Sequence, residues 1–165
     1  MVDVTPYLTD RAPWIREHLI NYLRTDGEIG YLRDESRSGA SKVITCLVLK
    51  TIGRKSGKPN LLPLIYAPWG DEYVIVGSKG GAPQHPGWYF NIQANPAIEF
   101  QVKEKVFRGA AREAEGDERQ RLWDYVTAFF PPYLEYQGKT ERRIPVMILT
   151  AEERLDDRWT VAPDA

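Results

Sequence analysis

The chain has 165 residues, which is enough for a single domain that buries a core without the help of disulfides or metals. Its 22 basic and 23 acidic residues nearly cancel, so its overall field does not favour a nucleic-acid-binding protein or one held on an anionic membrane. One cysteine, Cys46, and two histidines, His18 and His85, predict neither a disulfide framework nor a zinc site and fit a reducing cytoplasm.

Residues 1–42 predict a helix followed by a polar connector. Thr9 or Asp10 can cap a helix that begins near Pro13, and apolar side chains recur at helical spacing until Gly27. The mixed charges of the helix favour packing across the end of a barrel, and peripheral contact with a membrane stays open as the alternative. The polar, turn-forming composition of the rest of this segment predicts a mobile connector.

The core is predicted over residues 43–150 and begins with antiparallel strands. Residues 43–51 are apolar on both faces, which is typical of a central strand. Residues 52–59 form a polar turn with cationic side chains, and residues 60–67 return as a second strand, so this is a hairpin with a basic tip. The β-branched run at residues 73–76 predicts the third strand of a meander.

A glycine-rich loop, GSKGG at residues 77–81, follows the third strand. Apart from Ser78 and Lys79 it has almost no side-chain bulk, so its backbone can approach a ligand closely. Pro86 is predicted as the first residue of a short helix over Gly87–Ala94, whose free N–H groups would face the same space as Lys79 and suit an anion or a carbonyl-rich ring. An ordinary connecting loop with a solvated lysine is an equally weighted alternative.

The second half of the chain completes the barrel. Strands are predicted at residues 98–102, 105–113 and 144–149, a helix at residues 118–130, and a charged tail that frays at residues 151–165. Together the elements predict an α+β domain built on a small, mostly antiparallel β-barrel of about six strands. An N-terminal helix and two inserted helices accompany the strands.

Four cations recur at the ends of these strands. Arg54, Lys55 and Lys58 lie on the hairpin tip, and Lys79 lies in the glycine-rich loop. If the strands are neighbours, the four side chains converge and suit a phosphate or an oligocarboxylate tail. The alternative is a set of solvated turn charges.

The common motifs of unaided catalysis and of nucleotide binding are absent. GSKGG is not a Walker motif, no G-x-G-x-x-G opens a helix after a strand, and there is no nucleophile elbow. His85 has no serine or cysteine partner in the sequence and is more typical of a helix start than of a general base. These absences indicate a protein that borrows a redox cofactor.

Five motifs in order carry a family resemblance. The runs TIGRKSGKP, PLIY, VGSKGGAPQHPGWYFNIQANP, PPYLEYQ and RRIPVMIL, between Val43 and Leu149, closely resemble the deazaflavin-dependent nitroreductase family. The resemblance implies a split β-barrel that binds coenzyme F420. It also implies a reductase that passes a hydride from the reduced coenzyme to quinones, nitroaromatics or activated alkenes.

The resemblance also implies roles for particular residues of this chain. Those on the coenzyme's phosphate and glutamate tail are Arg54, Lys55, Ser56 and Lys79, with Asn60 at a position where relatives usually carry arginine. Those that line the deazaflavin ring or wrap the ring and its linker are Tyr66, Gly77, Ser78, Pro86, Gly87, Trp88, Tyr89 and Asn91. Those predicted on the catalytic side are Tyr133 and Tyr136, which border the substrate pocket, and Ser78. The proton that accompanies the hydride comes from Tyr133 or from water.

A second class of function stays open at this point. Split barrels also hold flavin, haem or lipids without turnover, so a non-catalytic binding protein is the alternative to the reductase. A nucleic-acid-binding barrel is disfavoured by the near-neutral charge. The sequence predicts no metal, and it leaves the physiological acceptor and the oligomeric state open.

Overall fold

A computed structural model describes residues 1–35 and 43–165, so most of the predicted mobile connector lies outside the described residues. The helices of the described part are α1 Pro13–Arg24, α2 Gly87–Ala94, α3 Gly116–Phe129 and α4 Pro132–Gly138. Its strands are β1 Val2–Asp3, β2 Leu32–Asp34, β3 Val43–Ile52, β4 Pro59–Ile65, β5 Ala67–Trp69, β6 Glu72–Val76, β7 Ala97–Val102, β8 Lys105–Glu113, β9 Val146–Leu155 and β10 Trp159–Thr160.

The main sheet has the strand order β2-β3-β7-β8-β9-β6-β5, with β4 also paired to β3, and its pairings are antiparallel. The predicted central position of β3 is confirmed, because β3 pairs with β2, β4 and β7. β7 and β8 form a hairpin with a two-residue turn, with Val102 opposite Lys105 and Lys103 at a positive φ of 52°. The mostly antiparallel α+β prediction therefore holds.

The prediction that residues 73–76 are the third strand of a meander holds only in part, because these residues pair with Ala67 at the end of the predicted second strand and not with β4. After β4 the chain forms the short strand β5, turns at Gly70 with a φ of 58°, and pairs β6 against β5 on one side and β9 on the other. The turn at Gly70 reverses the chain onto β5 rather than onto β4. The glycine-rich loop thus follows a strand that lies between β5 and β9.

Helix α1 packs its apolar face against the barrel. Leu19, Tyr22 and Leu23 are buried, and the Tyr22 hydroxyl donates to the Cys46 carbonyl at 3.0 Å and accepts from the Lys103 N–H at 3.0 Å. The predicted cap by Thr9 or Asp10 is wrong, since the helix starts after Ala12 with no side-chain cap hydrogen bond.

The prediction of a fraying tail after residue 150 is also wrong. β9 continues to Leu155 in register with β8, and β10 pairs in parallel with β1. The charges that suggested a solvated tail lie on the exposed part of β9, where Glu153 accepts from Arg108 at 2.9 Å. Trp159, only 4% exposed, anchors the last strand in the core.

Two further boundaries differ slightly from the prediction. α2 covers the predicted residues, but Pro86 lies immediately before its first residue rather than within it. The aromatic segment after Pro131 forms the helix α4. No helix within the described ranges is long and apolar enough to cross a membrane.

Candidate functional site

The glycine-rich loop between β6 and α2 packs directly against α4. Its middle is a 3₁₀ turn at Lys79–Gly81, in which Lys79 has a φ of 45° and Gly81 a φ of 84°. A Cβ on Gly81 would lie 2.7 Å from the Tyr136 carbonyl oxygen, closer than real Cβ atoms come. Only glycine fits there, so this absence of a side chain is what brings the loop onto α4.

A cavity of about 470 Å³ opens where this loop meets α1, β4, α2 and α4. Its lining residues are Trp14, Ile15, Arg33, Glu35, Leu62, Pro63, Leu64, Ile65, Val76, Ser78, Lys79, Gly80, Pro86, Trp88, Phe130, Tyr133 and Tyr136. Most of the wall is apolar or aromatic, with a few polar groups from the loop and from the Arg33–Glu35 ion pair. That composition suits a planar, partly polar ligand.

Six of the residues predicted for the site line this cavity. They are Ser78, Lys79, Pro86, Trp88, Tyr133 and Tyr136. Gly77 lies in the chain between the lining residues Val76 and Ser78, with its N–H bonded to the Pro145 carbonyl at 2.9 Å. The structure therefore brings the predicted ring-binding loop and the predicted substrate tyrosines to one space.

Tyr133 is nearly inaccessible to solvent, with 5% of its surface exposed. Its ring packs against Phe130 at a centroid distance of 4.8 Å and against Tyr136 at 6.4 Å. Burial raises the pKa of the Tyr133 phenol well above its ordinary value, because the phenolate would lose its hydration. Tyr133 is thus a neutral hydroxyl donor at physiological pH.

The basic hairpin tip is tied to α2 by Asn91. The Asn91 Oδ1 atom accepts from the backbone N of Arg54 at 3.1 Å and from its Nη1 atom at 3.2 Å, while Asn91 Nδ2 donates to Thr51 Oγ1 at 3.1 Å. The Arg54 guanidinium also lies 5.0 Å from the centre of the Phe90 ring. A longer contact, from Arg54 Nη1 to the Gly87 carbonyl at 3.5 Å, brings Arg54 to the first residue of α2, between the lining residues Pro86 and Trp88 in the chain.

Among the described residues, the cations of the tip and the loop have no carboxylate partner. Within residues 1–35 and 43–165, no salt bridge engages Arg54, Lys55, Lys58 or Lys79. Lys55 and Ser56 are exposed, and the Ser56 hydroxyl accepts from the Lys58 N–H at 3.2 Å. Their positive charge is available to an anion from outside the described chain.

Three other predicted residues use side-chain polar atoms in hydrogen bonds to other residues of the protein. The Tyr66 hydroxyl, on a side chain that is 5% exposed, shares a hydrogen bond of 2.8 Å with the Tyr31 hydroxyl. The Asn60 Oδ1 atom accepts from Arg11. The Tyr89 hydroxyl donates to Glu113 at 2.5 Å, and burial together with this bond raises the pKa of Tyr89 to about 12. None of these three lines the cavity.

Sequence reasoning missed one residue that organises the loop. The Arg142 guanidinium donates to the carbonyls of Gly77 at 3.0 Å, Ser78 at 2.7 Å and Ala82 at 2.8 Å, and to His85 Nδ1 at 2.9 Å. A signal was present, since Arg142 opens the RRIPVMIL run. Its partners lie 57 to 65 residues earlier in the chain, so no local pattern could identify them.

Comparison with known proteins gives a consistent result. A sequence model of the family described as F420H(2)-dependent quinone reductase matches residues 14–151. The chain is 40% identical over 139 residues to an F420H(2)-dependent quinone reductase of Mycobacterium tuberculosis strain H37Rv, covering 82% of this chain and 89% of that protein.

Two solved structures resemble the fold at 45% sequence identity and each covers 64% of this chain. One is an F420-H2 dependent reductase, FDR-A, with a TM-score of 0.59 over 93% of its chain. The other is described as a domain-swapped dimer, with a TM-score of 0.60 over 79% of its chain. The likeness to the first confirms the predicted split β-barrel.

Proposed function

The chain belongs to the F420H(2)-dependent quinone reductase family, and we propose that it reduces a quinone with a hydride from reduced coenzyme F420. The observation that best supports this function is an apolar, aromatic cavity that is lined by Lys79 and lies next to the start of α2, which Arg54 contacts. Neither cation has a carboxylate partner among the described residues. The cavity suits flat rings, and the cations suit a polyanionic tail.

The residues present fit the coenzyme as a donor set. Arg54, Lys55 and Lys79, with the Ser56 hydroxyl, would hold the phosphate and glutamate tail. The backbone of Gly77 and Ser78 and the first turn of α2 would hold the ring and its linker, with Trp88 against the ring. When bound and reduced, the deazaflavin supplies a hydride from its central carbon and does not readily support one-electron chemistry.

The tyrosines of α4 would act on the acceptor. Tyr133 is protonated at physiological pH, so its hydroxyl can donate a hydrogen bond to the quinone oxygen on which negative charge develops. One hydride and one proton convert the quinone to the quinol, and the proton comes from water or from Tyr133, which water would then reprotonate. Tyr136 and the Ser78 hydroxyl border the same space and would help to orient the acceptor.

A competition titration tests the choice of cofactor. Purified protein is titrated spectroscopically with oxidised F420, FMN and haem, and then with F420 at increasing salt. F420 should bind more tightly than FMN, and salt should weaken it, because its longer anionic tail engages more of the unpaired cations. Equal or tighter binding of FMN contradicts this proposal.

Turnover separates the reductase from the non-catalytic binding protein that split barrels also allow. Protein loaded with reduced F420 is mixed anaerobically with a panel of quinones, nitroaromatics and activated alkenes, and the return of oxidised F420 is followed. A reductase oxidises the coenzyme with at least the quinones. A binding protein leaves it reduced with every acceptor, and the family membership does not favour that outcome.

Peripheral membrane contact belongs to the same proposal. Trp14, in the first turn of α1, is 61% exposed and also lines the cavity, so a lipid-soluble quinone could enter beside it. Co-sedimentation with anionic vesicles, compared between the wild type and Trp14→Ser, tests this. Equal recovery of both proteins in the supernatant would remove the membrane from the proposal.

A further inference from the structure

The Arg142 side chain forms hydrogen bonds on both sides of the 3₁₀ turn in the glycine-rich loop. Its guanidinium reaches acceptors on Gly77, Ser78, Ala82 and His85, which span the whole loop. A guanidinium has only donors, so His85 Nδ1 must be the acceptor in this contact. One side chain thereby holds three backbone carbonyls and the His85 ring, which lie before and after Lys79 in the chain.

The loop needs an external support of this kind. Lys79 lies at a φ of 45°, a conformation unfavourable for a residue with a Cβ, and both residues after it are glycines with many accessible conformations. At the start of the loop, the Gly77 N–H donates to the Pro145 carbonyl at 2.9 Å. Beyond Gly77 the backbone bonds are the Gly81 N–H to the Ser78 carbonyl at 2.9 Å and the Ala82 N–H to the Lys79 carbonyl at 3.1 Å, and these two close only the 3₁₀ turn.

The segment that carries Arg142 is itself held by α4. Gln137 Nε2 donates to the Arg142 carbonyl at 2.7 Å, and Gln137 Oε1 accepts from the Ile144 N–H at 3.0 Å. The Gln137 amide therefore fixes the backbone from the Arg142 carbonyl to the Ile144 N–H, immediately after the Arg142 side chain. Through these contacts the helix of the substrate tyrosines and the loop of Lys79 share one support.

We propose that Arg142 is a positioning residue for the coenzyme, which holds the glycine-rich loop so that Lys79 and Ser78 face the cavity. The inference rests on the proposed function, because it assigns Arg142 to the binding of the same coenzyme. Arg142 acts through Lys79, and it makes no hydrogen bond to the Lys79 side chain. Energetic coupling between the two residues is therefore the signature to measure.

The test is a double-mutant cycle on F420 affinity. Dissociation constants are measured for wild type, Arg142→Gln, Lys79→Ala and the double variant. Lys79→Ala alone should weaken binding about tenfold or more, but should cost less than about threefold once Arg142 is replaced, because the lysine is no longer held in place. Steady-state kinetics should show a raised KM for F420 and an unchanged KM for the quinone.

Arg143→Gln is the matched control. It replaces an adjacent, exposed arginine for which the described chain offers no hydrogen bond. Combined with Lys79→Ala, it should give strictly additive losses. Additive losses for Arg142→Gln as well, or an unchanged F420 affinity in that variant, would overturn the proposal.

Two further measurements keep the test decisive. If Arg142→Gln does not fold, Arg142→Lys enters the same cycle, since it keeps the charge but cannot reach four acceptors, and it should again show coupling. Amide hydrogen exchange without coenzyme should be faster at residues 79–82 in the Arg142 variants than in Arg143→Gln, and equal exchange overturns the positioning role. Wild-type protein that fails to bind F420 would contradict the proposed function, whereas normal wild-type binding without coupling would contradict Arg142 alone.

Discussion

Two groups of cations on this chain have different surroundings. Three cations of the sheet end in ion pairs, which are Lys50–Glu99 at 2.7 Å, Arg108–Glu153 at 2.9 Å and Arg112–Glu118 at 2.6 Å. On the hairpin tip and in the glycine-rich loop, Arg54, Lys55, Lys58 and Lys79 have no carboxylate partner among the described residues. The chain thus neutralises these three sheet cations and leaves the cations of the tip and the loop unpaired.

In the proposed function, this difference lets a nearly neutral protein bind a polyanion. Exposed ion pairs add at most about 1 kcal/mol each to stability, so the Arg108 and Arg112 pairs matter little for folding. The four unpaired cations of the tip and the loop, here called the rim, remain available to an anionic tail, whose binding would relieve their mutual repulsion.

The largest effect is expected from Asn91→Ala, which keeps every cation but releases the hairpin tip from α2. The variant loses the bonds to the Arg54 N–H, the Arg54 guanidinium and the Thr51 hydroxyl, and should be about 2–4 kcal/mol less stable. F420 affinity should fall as well, because Arg54 is no longer held beside the cavity. Chemical unfolding and coenzyme titration measure the two effects.

Gln93→Ala, at an exposed position of the same helix, is the control and should change stability by less than about 0.5 kcal/mol. Unchanged stability of Asn91→Ala together with a large loss of F420 affinity would argue instead that Asn91 contacts the coenzyme directly.

Removal of a rim cation should have the next largest effect. Lys79→Ala and Lys55→Ala should each lose about 1–3 kcal/mol of F420 affinity, the range of a charge-assisted hydrogen bond, and should keep the fold because both lie in loops. Lys50→Ala removes a paired cation from the sheet and should leave F420 affinity unchanged. Isothermal titration calorimetry of the three folded variants measures their F420 affinities. An equal loss of affinity in Lys50→Ala and Lys79→Ala would contradict the distinction between paired and unpaired cations.

Local patterns were sufficient for much of the fold. The apolar run of β3 indicated a central strand, and the bounds of α2 and β8 match the predicted residues. The charged residues after Ala151 were misread because a strand with solvated side chains has the composition of a tail. Its pairing with β8 and the anchoring by Trp159 depend on distant contacts that local composition does not report.

In the candidate site, too, the local features could be predicted from the sequence and the long-range contacts could not. The GSKGG run predicted the loop that borders the cavity, because glycine content and position after a strand are local features. The side-chain hydrogen-bond partners of Tyr66, Asn60 and Asn91 lie 35 to 49 residues away in the chain, the longest separation being that of Asn60 and Arg11. Whether a polar side chain faces a ligand or another residue depends on such pairings, and a single sequence does not contain them.

A smaller effect is expected on the acceptor side, where the cationic rim stays intact. Tyr133→Phe removes only a hydroxyl, and loss of one hydrogen bond to the acceptor should lower turnover about five- to tenfold, or about 1 kcal/mol. F420 affinity and melting temperature should stay nearly unchanged. The measurement is steady-state reduction of the quinone panel beside a coenzyme titration.

Tyr136→Phe, at the neighbouring and more exposed ring, is the companion variant. Normal turnover of Tyr133→Phe on every active acceptor would remove Tyr133 from the mechanism, and a lower melting temperature without a change in turnover would assign it to the core.

The smallest effect should come from protonation of His85, which adds a charge beside the rim rather than removing one. His85 Nδ1 accepts from Arg142, and Tyr89 and Phe90 pack on its ring at 4.5 Å and 5.8 Å. Burial, and after it the Arg142 charge, lower the pKa of His85, while Glu113 opposes the shift. A protonated His85 can no longer accept from Arg142 and would repel it.

Because the pKa of His85 is lower in the folded protein than in the unfolded chain, its contribution to stability is complete above the unfolded value of about 6.5 and is lost as the pH falls through the folded value. His85→Gln supplies an acceptor that does not titrate and is the matched variant. The difference in unfolding free energy between wild type and His85→Gln should be constant above about pH 6.5 and should turn against the wild type below it. His18 and the carboxylates are common to both proteins and cancel in the difference. A difference that stays flat down to the acid limit of folding would mean that the contact between His85 and Arg142 contributes nothing to holding the loop.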